Sequence, residues 1–364
     1  MRRRAGPIDF WILLPALLLL GMSIIMVFSA SALTSSYNYG DAFYFLKRQL
    51  MWAGLGLGGL FFALQLDYNL LRRLAAPFLG LAVALLVLVL IIGTASRGSA
   101  RWLGIGSLAF QPSETMKLAM VIFLAASLSQ NRQRLQSLLP GIGPYLALMA
   151  GVCLLILAQP DLGTAVAIAG TTYLMLAVAG ADRRHLALLA LLGVAAVALA
   201  IVIAPYRMAR FTAFLDPWAD PRGNGWQTIQ SLMAVGSGGL FGTGLGQGRQ
   251  KLYYLPENHT DFIFAIISEE LGFIGAALVT IMFLILVWRG IHTAFKAPDA
   301  FGSLLAAGLT IMLTIQALIN MGVVTGLLPV TGITLPLVSY GGSSLIFSLL
   351  GIGILLNISR YAGS

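Results

Sequence analysis

The chain has 364 residues, 59% of them hydrophobic and only 10% charged, and its mean hydropathy is +0.90. A water-soluble domain carries roughly a quarter of its residues charged, so a soluble globular protein is excluded and lipid must cover the rest. The net charge of +9 does not mark a nucleic-acid binder, because Arg2, Arg3, Arg4, Arg72, Arg73, Arg132, Arg134, Arg183 and Arg184 sit in short connections between apolar runs, as the positive-inside rule predicts.

Continuous apolar runs, rather than short segments of alternating polarity, predict helices and not a β-barrel. A helix needs about 20 apolar residues to span a bilayer. In chain order, spans are predicted near 10–32, 48–66, 74–93, 112–130, 144–159, 162–180, 185–204, 262–288, 301–323 and 344–359. This is an all-α polytopic membrane protein of about ten transmembrane helices, a single membrane domain over 1–364. Three arginines, an apolar run and Ala30-Ser31-Ala32 imitate a signal peptide, but the run from Phe10 to Phe28 is long enough to span and is kept as the first helix. An even number of spans puts both termini on one side, and the basic connections make that side the cytoplasm. Segments 33–47, 94–111, 205–261 and 324–343 then face outward. The loop 205–261 is far longer than an ordinary connection. Its aromatics Phe211, Phe214, Trp218, Trp226, Tyr253 and Tyr254 predict an ordered, functional segment. Cys153 is the only cysteine, so no disulfide forms within the chain, and it reads as a small packing residue.

Several short stretches carry chemistry. Gln111-Pro112-Ser113-Glu114-Thr115-Met116-Lys117 opens the fourth span, with Glu114 and Lys117 three apart on one helix face. That spacing suits equally a functional pair and a mutually neutralising anchor. Asp161, in Gln159-Pro160-Asp161-Leu162-Gly163, reads first as a turn residue, unless it meets Lys117 across the bundle. Leu255-Pro256-Glu257-Asn258-His259-Thr260-Asp261-Phe262 brings three ionisable groups to the end of the long loop. Asn258, Thr260 or Asp261 could cap the next helix, and a carboxylate at the water–membrane boundary could instead act as a general base. The glycine-rich run Gly236–Gly248 lacks the ending of a phosphate-binding loop, and reads as a flexible turn or as backbone approaching an anionic headgroup. A second run, Ser339-Tyr340-Gly341-Gly342-Ser343-Ser344, begins the last span, where a helix N-terminus can cap itself or hold a phosphate. No His/Cys/Glu cluster has metal-ligand spacing.

Arg101-Trp102 with Phe110–Lys117, then Gln159–Gly163, Tyr254–Glu270 and Pro329–Ser344, in this order, resemble the SEDS family, the shape, elongation, division and sporulation proteins that include RodA, FtsW and SpoVE. The resemblance covers essentially the whole chain. Gln250–Glu257 and Gly322–Gly332 look more like the division-type FtsW and SpoVE branch than RodA. It implies a ten-helix protein of the bacterial cytoplasmic (inner) membrane, surrounded by membrane lipid. It also implies a peptidoglycan glycosyltransferase that polymerises lipid II with a class B penicillin-binding protein, for cell division or cell shape. Asp261 falls on the essential outward-facing aspartate of the family, and Glu114, Lys117 and Asp161 on positions that resemble its charged cluster. Tyr253 departs from the carboxylate that some division-type members carry.

In such a transfer the 4-hydroxyl of one lipid-linked sugar attacks C1 of another and displaces a lipid pyrophosphate with inversion. Pyrophosphate is already a good leaving group, so a lone base suffices, unlike the paired carboxylates of an inverting glycosidase. Arg101, Lys117, Arg207 and Arg210 are the candidate cations for the departing pyrophosphate, and Glu257 and His259 are further substrate-binding candidates beside Asp261. The sequence names no cofactor; a divalent cation, Mg or Mn, could share the charge. The rivals are a lipid II flippase and a non-catalytic scaffold that activates the penicillin-binding protein. A flippase needs polar residues in the cytoplasmic half. The acids lie mostly outside: Asp41, Glu114, Asp161, Asp216, Asp220, Glu257, Asp261, Glu269 and Glu270 against Asp9, Asp67, Asp182 and Asp299.

Overall fold

The computed structural model describes residues 6–96, 99–105 and 108–362. Its α-helices are α1 (Phe10–Tyr39), α2 (Tyr44–Gln65), α3 (Tyr68–Ile92), α4 (Pro112–Gln130), α5 (Gly143–Leu157), α6 (Leu162–Ala179), α7 (Arg183–Ile203), α8 (Pro205–Leu215), α9 (Trp226–Ser237), α10 (Ile263–Lys296), α11 (Ala300–Val324) and α12 (Gly342–Ser359). Among the described residues, eight helices are long and apolar enough to cross a membrane: α1, α3, α5 with the turn before it, α6, α7, α10, α11 and α12. The other two predicted spans are α2, of 22 residues, and α4, of 19. α4 is buried along nearly its whole length; it faces other helices rather than lipid, so its hydropathy need not match the bilayer. α7 is the opposite case, with no buried residue.

Local chemistry fixes the helix starts. Asp9 accepts the Trp11 amide at 3.0 Å, Asp67 that of Asn69 at 3.0 Å, Asp182 that of Arg184 at 2.7 Å, and Asp299 that of Gly302 at 3.1 Å. Each satisfies an amide that the first helical turn leaves unpaired. All four acids predicted on the cytoplasmic side are therefore helix caps. That end is also laced by Arg289 to Asp9 at 2.6 Å, Tyr68 to Asp299 at 2.9 Å and Gly6 to the Arg360 carbonyl at 2.8 Å.

Within the bundle α2 packs on α12, α10 on α1 and α11, and α4 on α3, α6 and α11. The four segments predicted to face outward meet at the opposite end. Two features there depart from the sequence reading. Segment 94–110 is not plain loop: β1 (Thr94–Ser96), β2 (Ser99–Ile105) and β3 (Leu108–Phe110) form an antiparallel sheet in the order β1-β2-β3. The span predicted at 262–288 is broken at Gly272, whose φ of 67° and ψ of −165° lie outside the helical region. The broken helix leaves Ile263–Glu270 buried as a short first segment.

Candidate active site

Asp261 sits at the mouth of the bundle, half-buried, where the long loop enters α10. The backbone of His259, Thr260 and Asp261 is held by three hydrogen bonds. The Asn320 amide on α11 donates to the Asp261 carbonyl at 2.7 Å, the Ser339 hydroxyl donates to the Thr260 carbonyl at 2.6 Å, and the Tyr340 amide donates to the His259 carbonyl at 2.9 Å. Asn320 also donates to the Ile333 carbonyl at 2.8 Å, which ties the loop 325–341 to the same point. The cap position of α10 falls on Phe262, one residue past Asp261. Asn258 and Thr260 do not cap it either: Asn258 donates to the Lys251 carbonyl at 3.2 Å and Thr260 to the Glu257 carboxylate at 2.9 Å.

Gly332 faces this carboxylate. Its φ of 80° is one that only glycine adopts readily, and an added Cβ would lie 3.5 Å from Asp261 Oδ2. The neighbouring Thr331 and Ile333 rest on Gly163 at the start of α6, each within 3.0 Å of where its Cβ would be. Glu257, Tyr253 and Leu337, all non-glycine, adopt left-handed φ values of 56°, 66° and 64° on the two loops that meet here. Such strain persists only where the surroundings hold it, and it gathers at functional sites.

The charged residues fall into separate pairs. Lys117 bonds Glu114 Oε1 at 2.8 Å and Gln316 Oε1 on α11 at 2.6 Å, all three buried. Gln316 lies one turn below Asn320, so this pair supports the helix that pins Asp261. Asp161 does not join Lys117. It caps α6 through the Thr164 amide at 3.0 Å and hydroxyl at 2.9 Å, and its ionic partner is Arg101 at 3.7 Å. Arg101 reaches it from β2 and also donates to the carbonyls of Gln159, at 2.9 Å, and Pro160. The expected single cluster of Glu114, Lys117 and Asp161 is thus two sites, because the unforeseen sheet supplies Asp161 with a nearer cation.

The remaining cations differ in reach. Arg207 is spent on its own helix and its neighbours, bonding the Tyr206 hydroxyl at 2.7 Å and the Ala200 carbonyl at 3.0 Å. Arg210 is exposed and extends to the Val330 carbonyl at 3.5 Å, two residues from Gly332. His259 packs on Phe45 and Tyr340, with ring centroids 4.5 and 5.6 Å away. Arg48, absent from the sequence candidates, stacks on Tyr44 at 4.1 Å. Burial pushes the Tyr340 hydroxyl above its ordinary range, and Arg48 opposes that shift. Asn320 and Gln316 were missed as well. Two amides four residues apart in an apolar helix mark one inward face, and that signal could have found them.

The glycine-rich run is tied to protein rather than to a headgroup. Thr243 and Gly244 donate to the carbonyls of Glu269 and Glu270 at 2.9 and 3.1 Å, and Phe273 donates back to Gly239 at 2.9 Å. Among the described residues there is no group of three or more His, Cys, Asp or Glu that could hold a metal ion.

The chain matches the FtsW/RodA/SpoVE family, described as cell cycle protein, over residues 10–364. It is 50% identical over 356 residues to stage V sporulation protein E of Bacillus subtilis (strain 168), covering 97% of each chain. It is 45% identical over 363 residues to a probable peptidoglycan glycosyltransferase FtsW of Trichlorobacter lovleyi, covering 98% of this chain and 94% of that one. A solved structure concerned with the coordination of polymerization and crosslinking by a peptidoglycan synthase complex superposes with a TM-score of 0.80 at 32% identity, over 98% of this chain and 99% of the other. The rod shape determining protein RodA of Thermus thermophilus superposes with a TM-score of 0.74 at 30% identity, over 98% of each chain. Every helix and both loops that build the Asp261 end lie within the matched residues, and the chain belongs to the FtsW/RodA/SpoVE family of cell cycle proteins.

Proposed function

We propose that this chain is a peptidoglycan glycosyltransferase of the FtsW and SpoVE type. It polymerises lipid II at the outer face of the bacterial cytoplasmic membrane, together with a class B penicillin-binding protein, and both its termini lie in the cytoplasm. The names of its relatives and the neighbouring synthase complex support the activity and the partner. The basic connections support the orientation.

The observation that carries the mechanism is the setting of Asp261: a half-buried carboxylate over Gly332, on a backbone held by Asn320 and flanked by bonds from Ser339 and Tyr340. A base fixed in this way needs little rearrangement when the substrate arrives. The acceptor 4-hydroxyl loses its proton to Asp261 as its oxygen bonds to C1 of the donor, and the bond from C1 to the pyrophosphate oxygen breaks with inversion. Arg210, which reaches the Val330 carbonyl two residues from Gly332, and Arg101, beside Asp161, are the cations that offset charge on the departing pyrophosphate. Lys117 is committed to Glu114 and Gln316, so its part is to hold α11 rather than to bind the substrate. The flippase reading loses support at the other end, where all four acids are helix caps.

The test is Asp261→Asn in purified protein, with labelled lipid II and a partner that has no glycosyltransferase activity of its own. Asparagine keeps the shape and loses the base, so polymerisation should fall by about a hundredfold or more while folding and partner binding persist. Near-normal polymerisation would refute the assignment and return the flippase or scaffold reading to first place.

A further inference from the structure

The reaction above leaves the glycine-rich run and the two glutamates at its base unused. The carboxylate of Glu269 accepts the amides of Arg249 at 2.7 Å and Gln250 at 3.2 Å. The carboxylate of Glu270 accepts the Gly246 amide at 3.0 Å, the Ser29 hydroxyl of α1 at 2.6 Å and the Lys251 ammonium at 2.6 Å. Lys251 also reaches Ser29 at 3.0 Å. Both members of the ion pair are buried, with side chains 4% and 0% exposed. The segment 238–262 is therefore a strap, fastened at its middle to the break in α10. From Lys251 it runs ten residues to Asp261. Asn258 closes that span by bonding the Lys251 carbonyl at 3.2 Å and His259 Nδ1 at 2.9 Å.

We propose that the Lys251–Glu270 pair, with Ser29, is a positioning device for glycosyl transfer, which holds the strap at the height that places Asp261 over Gly332. The inference rests on the polymerase reading above. Its physical basis is that the strap between the two residues contains Tyr253 and Glu257 in left-handed conformations, which relax once their anchor is lost. A displacement of about 1 Å at a reacting group costs on the order of a hundredfold in rate. The pair touches the chain and not the reacting atoms, so its loss acts on kcat more than on KM.

The test uses the full chain with its penicillin-binding partner and labelled lipid II, and follows kcat, KM and amide hydrogen exchange of residues 249–262. Glu270→Gln and Lys251→Met should each lower kcat by about tenfold or more with KM changed less than about twofold, and should speed exchange along the strap. The variant carrying both changes should recover kcat about threefold or more over the worse single one, because neither charge is then left buried alone. Single variants with wild-type kcat, or a paired variant as poor as the worse single one, overturn the proposal. Where a single variant fails to accumulate, Glu270→Asp and Lys251→Arg replace it, and full kcat in both is equally fatal. Asp261→Asn is run alongside and should lose polymer while the strap amides stay protected. If wild-type protein forms no polymer, the polymerase reading fails, and the exchange difference still decides whether the pair holds the strap.

Discussion

Lys117 illustrates how a charge is kept inside a bundle of apolar helices. Its ammonium and the Glu114 carboxylate, with side chains 6% and 8% exposed, lie 2.8 Å apart. Breaking such a pair on one side costs about 3–5 kcal/mol, since the other charge stays buried alone. Lys117→Ala should therefore lower the thermal midpoint in detergent far more than Arg132→Ala, which removes an exposed charge. The double change Glu114→Gln with Lys117→Met should regain part of the loss. Equal midpoints for Lys117→Ala and Arg132→Ala would rule this out. The Glu114–Lys117 contact was readable in the sequence because both partners lie three residues apart on one helix. The Arg101–Asp161 contact was not, since it joins a strand to a helix start across two intervening helices, and no local pattern reports such a meeting.

At the scale of elements, the spans were legible because long apolar runs leave the backbone no alternative to a helix in lipid. The break in α10 was not, because a single glycine within such a run is common and its φ cannot be seen from composition. At Gly272 the backbone occupies a region open essentially to glycine alone, and an added Cβ would meet the Gly242 amide nitrogen at 2.3 Å. Gly272→Ala should thus destabilise by at least about 1–3 kcal/mol and should loosen the strap. Gly21→Ala in α1, where nothing lies within 4 Å of the added methyl, should stay within about 0.5 kcal/mol. Thermal unfolding of both variants checks the contrast, and a neutral Gly272→Ala would show that the break is not held by the glycine loop. The three strands and α8 and α9 escaped the sequence reading because each is short and lies in a segment rich in glycine, proline and charge, where no apolar run is long enough to register as a span.

For the whole molecule, the two ends of the bundle differ in kind: helix caps and terminal contacts at one, the Asp261 cradle at the other. The proposed orientation predicts that cysteines replacing the exposed Tyr37 and Arg222 react with an impermeant reagent added to intact cells, and those replacing Arg132 and Arg184 only after permeabilisation. The reverse pattern would turn the protein over and set the proposed base on the wrong face of the membrane for the proposed reaction. The cradle also has a consequence in time. Asn320, Gly332, Ser339 and Tyr340, which fix Asp261 and its surroundings, all follow it in the chain, and α12 closes the bundle by packing back on α2. Chains emerge from the ribosome N-terminus first. A nascent molecule already threaded through the bilayer as far as α10 carries its aspartate without the parts that aim it. On the proposed mechanism, synthesis itself keeps the enzyme silent until α12 is in place.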